Sequence, residues 1–210
     1  MNIIHDIEQG SEEWHNLRLG RITASRFKDV MTNGRGGSPS KTAESYMMEL
    51  AIEKVTGTQA AFFENDAMRH GTETEPQARA MYEIVSGNEV SEVAFIELNE
   101  FVGVSPDGLI GLDGLIEIKC PNTKTQVERF LKNIGLPAEY KWQVQGQLWV
   151  AEREWCDFLS FDDRIDTAAQ YLCTRVHRDE ALIKELSERV SVFSDELQNM
   201  IEKLSKPMEY

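Results

Sequence analysis

Apolar positions change period several times along the chain. In SKTAESYMMELAIEKVTG (40–57) they recur at helical spacing, with Ser40 or Thr42 to cap the start and Gly57 to end it. A second helix is predicted over ETEPQARAMYEIVSG (73–87), with Pro76 in the first turn, Glu75 at the start and Gly87 as the stop. Three strand-like runs follow: EVAFIEL, FVGVSPDGLIG and GLIEIKC. They are separated by turn residues and predict an antiparallel meander. KTQVERFLKNIG and AEYKWQVQGQLWVAE predict helices, and WCDFLSF and AQYLCTRV predict strands. From about Asp179 to Leu204 a long amphipathic helix carries Leu186, Val190, Phe193, Leu197, Met200 and Leu204 as one stripe. Such a stripe packs on the chain's own core or on a second subunit. TNGRGGSP (32–39) is a loop with Arg35 at its tip. This order predicts an α/β domain, a mixed central sheet flanked by helices.

The patterned segments also hold charges that are costly to bury unpaired. Asp107 follows Pro106 in one run, and Glu117 and Lys119 follow in the next after a hairpin-length gap. Period two puts Glu117 and Lys119 on one strand face, with Ile116, Ile118 and Cys120 on the other. A hairpin can lay Asp107 beside them. Two carboxylates at close range need a proton or a cation between them, and oxygen ligands suit Mg²⁺ or Mn²⁺. A lysine beside them could position or deprotonate a water. The bland alternative is a Glu117–Lys119 ion pair at a sheet edge.

Net charge refines this picture. The 210 residues carry a formal charge of −14, which argues against an overall nucleic-acid-binding surface. From Arg18 to Lys41, however, there are six basic residues and one acid, Asp29. That stretch is either a solvated patch or a local phosphate-binding face. The three separated cysteines and four scattered histidines argue against a disulfide framework and a zinc site, and point to a reducing cytoplasm. The N-terminus shows no signal-peptide pattern, and no apolar run approaches the roughly 20 residues of a membrane span.

The P-D…E-x-K pattern resembles the motif of restriction-endonuclease-like nucleases. EEWHNLRLGRITASRF (12–27), HGTETEPQARAMYE (70–83), SPDGL, EIKCP and YKWQVQGQLWV (140–150) stand in that order. Together they closely resemble the phage lambda exonuclease, or YqaJ-type viral recombinase, family. The resemblance implies a restriction-endonuclease-like core within a single exonuclease domain, 1–210. Its parts are an N-terminal helical DNA- and phosphate-binding part (about 10–65), a nuclease core (about 70–178) and a C-terminal helix (about 179–205).

It implies an ATP-independent, alkaline-type exonuclease that degrades the 5′-ended strand of duplex DNA and leaves a 3′ tail for a single-strand-annealing protein. Two Mg²⁺ ions, with Mn²⁺ as a substitute, would be held by Glu75, Asp107, Glu117 and the backbone carbonyl of Ile118. Lys119 would orient the attacking water. Arg18, Ser25, Ser105 and Gln143 would hold the 5′ phosphate. For Ser25 and Gln143 the residues alone read equally as capping or helix-face polarity. Arg35 matches a DNA-contacting arginine by position, Tyr140 stands behind the site, and Trp14 and Trp142 read as core. The resemblance also implies a ring-shaped homotrimer, encoded by a phage or prophage and acting in the bacterial cytoplasm. The competing readings are an endonuclease or resolvase of the same fold, and a non-catalytic DNA-binding protein on that fold.

Overall fold

The computed structural model describes residues 1–34, 40–59 and 65–206. In chain order the elements are β1 (Asn2–Ile4), α1 (Glu12–Arg18), β2 (Ile22–Thr23), α2 (Phe27–Met31), α3 (Lys41–Thr56), α4 (Asp66–Ser86), β3 (Phe95–Glu97), β4 (Val102–Val104), β5 (Gly108–Ile110), β6 (Gly114–Lys119), α5 (Thr123–Leu131), α6 (Lys141–Val150), β7 (Trp155–Phe161), β8 (Tyr171–His177) and α7 (Glu180–Leu204). The architecture is mixed α/β, as the pattern predicts. Among the described residues the strands form two four-stranded sheets, ordered β1-β3-β4-β2 and β5-β6-β7-β8. Each is mixed: β2 runs parallel to β4 and β6 parallel to β7, while the other pairs are antiparallel. None of the described helices is long and apolar enough to cross a membrane.

α3 follows its sequence signals. The Ser40 side chain accepts from Ala43 N, and Gly57 ends the helix at φ 65°. α4 departs from them. It begins at Asp66 rather than near Glu75, because the Asn65 side chain accepts from Met68 N and caps it there. Pro76 therefore lies in the helix interior, where it removes one backbone hydrogen bond. The helix continues because Ala78 and Tyr82 beyond it are fully buried against the second sheet, and tertiary packing outweighs local preference.

The expected three-strand meander is also corrected. FVGVSPDGLIG is two strands, β4 and β5, belonging to different sheets. Pro106 has no N–H to donate and restricts Ser105 before it, so pairing stops there. Asp107 consequently stands just before β5 rather than within a strand.

Two apolar clusters flank β6. The larger joins Ile22, Phe27 and Tyr46 from the N-terminal part to Leu115, Val144, Leu148 and Phe158, and to Leu186, Val190, Phe193 and Leu197 of α7. The stripe on α7 is thus internal over those four residues, and its last member, Leu204, is half exposed. The smaller cluster packs Ala78 and Tyr82 of α4 on Ile116, Ile118 and Leu159. β6 therefore divides by parity, with Leu115 in one cluster and Ile116 and Ile118 in the other. α6 lies close against α2: a Cβ on Gly146 would stand 2.2 Å from the Phe27 ring. A glycine is what admits this approach.

Candidate active site

Glu117 is the centre of the site. It is 1% exposed, on the β6 face opposite Ile116 and Ile118. The Gln143 amide donates to its Oε1 at 2.5 Å and the Gln147 amide to its Oε2 at 2.6 Å. Both glutamines come from α6, one turn apart, so that helix presents two donors on one face. Lys119 forms an ion pair with Glu117, and its ammonium lies over the Tyr140 ring at 5.6 Å from the centroid. Asp107 stands beside them, its Oδ2 accepting from Ile118 N at 2.5 Å.

Burial pushes the Asp107 carboxyl well above its ordinary range, and the nearby charges of Glu117 and Glu75 push it further. Glu75 is raised by burial, then held back by Arg79, which donates to its Oε1 at 2.8 Å. Burial alone would lower the Lys119 ammonium. Glu117 and Asp107 outweigh burial and hold it above its ordinary range. A cleft of about 540 Å³ opens over the group, lined by Glu75, Ile118, Lys119 and Tyr140 among others. Three neighbouring carboxylates that feel one another's charge could hold a hard divalent ion, whose charge would relieve their repulsion.

A second cleft, of about 160 Å³, is lined by Arg18, Ser25, Thr23, Arg21 and Arg26. The Arg18 guanidinium lies over the Trp14 ring at 4.1 Å and donates to Ser105 Oγ at 3.2 Å. Trp14 fixes the same hydroxyl through its indole N–H at 3.1 Å, so its ring serves as a platform for the arginine. Burial lowers the Arg18 pKa to about 10. Ser105 lies two residues before Asp107, so this cleft and the carboxylate cleft are joined by one short stretch of backbone.

The structure thus brings Glu75, Asp107, Glu117, Ile118, Lys119 and Tyr140 to one place, and Arg18, Ser25 and Ser105 to another. Gln143 is on Glu117 and not among the residues lining the Arg18 cleft. Arg35 lies outside the described residues. Sequence reading missed two partners. Arg79 stands four residues after Glu75, a helical spacing that signals a pair. Gln147 stands four after Gln143 on the same helix. It also missed a group assembled from distant positions, His70 with Asp162 and Asp163.

Residues 13–154 match the YqaJ-like viral recombinase domain. The chain belongs to that family. This YqaJ-like chain is 47% identical to an alkaline exonuclease from Laribacter hongkongensis, with a TM-score of 0.84 over 92% of this chain and 96% of that one. A second structure of that enzyme, in complex with dAMP, matches equally well. A phage-related exonuclease from Haemophilus somnus shares the fold at 21% identity, with a TM-score of 0.69 over 90% of this chain and 99% of that one. An uncharacterised protein of Acanthamoeba polyphaga mimivirus is 30% identical over 175 residues. Those residues are 74% of the YqaJ-like chain but only 29% of the viral protein's length.

Proposed function

We propose that this chain is a Mg²⁺-dependent, ATP-independent exonuclease that digests the 5′-ended strand of duplex DNA. The observation that carries the reading is the proximity of Glu75, Asp107, Glu117 and Lys119 beneath one cleft, beside a separate half-buried arginine. The 47% identity to an alkaline exonuclease supports it, and dAMP is the kind of mononucleotide that such digestion releases.

In this reading Glu75, Asp107, Glu117 and the Ile118 carbonyl hold two Mg²⁺ ions, for which Mn²⁺ substitutes. Bound there, the ions supply Lewis-acid charge for phosphodiester hydrolysis. The chain's own residues do the positioning. Gln143 and Gln147 fix the Glu117 carboxylate through both oxygens. Lys119, held cationic, orients the attacking water by hydrogen bonding and meets the charge of the scissile phosphate. Arg18, Ser25 and Ser105 grip the terminal 5′ phosphate. Gln143, expected from the resemblance to join that grip, has its amide on Glu117 instead. Tyr140 supports Lys119 from behind.

The same reading makes the working form a homotrimeric ring around DNA, with Arg35 at the groove. The product is a 3′ single-stranded tail for an annealing recombinase, in a bacterial cytoplasm under phage or prophage control. Linear duplexes labelled separately at each end, with and without Mg²⁺, test this. The expected result is Mg²⁺-dependent release of label from 5′ ends and none from a covalently closed circle. Cleavage of the circle identifies an endonuclease of the same fold instead. No cleavage of any substrate with Mg²⁺ or Mn²⁺ identifies a non-catalytic binder.

A further inference from the structure

A second constellation lies outside the carboxylate cleft. His70 sits near the start of α4, and Asp162 and Asp163 directly follow β7. A ring nitrogen of His70 and one carboxylate oxygen from each aspartate all lie within 4.8 Å of one another. Asp162 is fully buried. Its Oδ1 is taken by Arg164, through the side-chain Nε at 2.7 Å and the backbone N–H at 3.1 Å. Its Oδ2 is buried and has no well-formed hydrogen bond, although the Thr123 hydroxyl acts on the same carboxylate. His70 Nε2 is also buried and unbonded, 3.4 Å from Asp163 Oδ1. The other ring nitrogen, Nδ1, is 3.3 Å from Thr74 Oγ1. A proton on Nδ1 donated to Thr74 would leave the Nε2 lone pair facing Asp163, with Asp162 in the same group.

Asp162 is buried, His70 is half-buried and Asp163 is exposed, and a positive charge among their lone pairs would stabilise the group beyond the one ion pair that Arg164 makes with Asp162. A proton on Nε2 would draw a carboxylate to ordinary hydrogen-bond distance, about 2.7–3.0 Å. The separation of 3.4 Å is wider. Two ligands each about 2.1 Å from one ion, at the tetrahedral angle, stand roughly that far apart. A ligating imidazole held through its other nitrogen by a neighbouring side chain is also the usual arrangement at metal centres.

We propose that His70, Asp162 and Asp163 form a second divalent-metal site that pins α4 to the end of β7. One imidazole and two carboxylates select a first-row transition ion, Mn²⁺ or Zn²⁺, over Mg²⁺. The site shares no ligand with the Glu75–Asp107–Glu117 group and does not rest on the nuclease reading. It fastens the helix that carries Glu75, five residues further on.

The full-length chain carrying Asp107→Asn and Glu117→Gln, which disables the central carboxylates, is titrated with Mn²⁺ alone. Mn²⁺ is chosen because it has little affinity for the free cysteines. Electron paramagnetic resonance of the free ion counts what is bound. One Mn²⁺ per chain is expected, lost when His70→Gln is added. At a hundred-fold excess over Kd the melting temperature rises by roughly 5–11 °C, and equal Mg²⁺ does not reproduce this. Should the double variant fail to fold, the wild-type chain gives the second measurement. The central group offers no imidazole, so ¹⁴N coupling on bound Mn²⁺ reports His70. No bound Mn²⁺ in the double variant, equal binding after His70→Gln, or an absence of imidazole coupling in the wild type overturns the proposal.

Discussion

The two clefts joined by Ser105–Pro106–Asp107 differ in their dominant charge. Around Glu117 three acids crowd one point, and burial with mutual repulsion lifts Asp107 well above its ordinary range. Around Arg18 a half-buried guanidinium lies on the Trp14 ring, and desolvation lowers its pKa to about 10. The first cleft gathers acids around Lys119, and the second gathers arginines with Glu49 and Glu53 among them. In the proposed reading an ion belongs to the first and a strand-end phosphate to the second, so the two roles can be removed one at a time.

The sharpest separation comes from the carboxylates. Asp107→Asn or Glu117→Gln should reduce cleavage by about a thousand-fold or more, roughly 4 kcal/mol in barrier, while a 5′-phosphorylated duplex still binds through Arg18. Single-turnover digestion alongside a binding isotherm checks this, and turnover near wild type in either variant removes that residue from the site. Lys119→Ala comes next, with an expected loss of about 10²–10³-fold at unchanged DNA affinity. A rise in Kd equal to the rate loss would make Lys119 a binding residue only.

Arg18→Ala acts on the other cleft. The wild-type chain should prefer 5′-phosphate over 5′-hydroxyl ends by about ten- to a hundred-fold, the worth of one charged hydrogen bond. The variant should lose most of that preference and keep its Mg²⁺ dependence. Equal wild-type rates on the two ends would dissolve the comparison altogether.

The smallest effect is on stability. Asp107 has a raised folded pKa, so the folded chain holds the proton longer than the unfolded chain does. Without metal, stability should therefore fall as pH rises from the ordinary aspartate value of about 3.9 through the raised one, and the loss is complete above it. Glu75, also raised, works in the same direction. Melting curves in EDTA should show this decline, Mg²⁺ at neutral pH should reverse it, and Asp107→Asn should flatten it. A wild-type minus Asp107→Asn difference in melting temperature that stays constant or climbs with pH over that window refutes the assignment of strain to Asp107.

Much of this was legible in the sequence because local rules coincide with the fold. Ser40 and Gly57 bound α3 as capping chemistry dictates, WCDFLSF is β7 residue for residue, and parity alone separated Glu117 from Ile116 and Ile118. The failures came where a distant contact overrules the local signal. Pro76 reads as a helix start, yet Asn65 caps α4 and the burial of Tyr82 carries the helix through. Nothing near Asp107 announces that its own side chain takes the Ile118 N–H and ends the pairing there. Gln147 reads as one more polar helix residue until α6 is packed onto β6. His70 and Asp162 are far apart in the chain, and only the juxtaposition of α4 with the end of β7 unites them.

The contact between Gly146 and Phe27 bears on how this protein can be engineered. Helix propensity recommends Gly→Ala in a helix interior, with a gain of about 1 kcal/mol. At Gly146 the added methyl would collide with a fully buried ring. The helix would yield by moving, and it carries both amides that hold Glu117. A propensity-guided stability screen would therefore choose, as its routine improvement, a substitution that misaligns the site from a position touching no substrate.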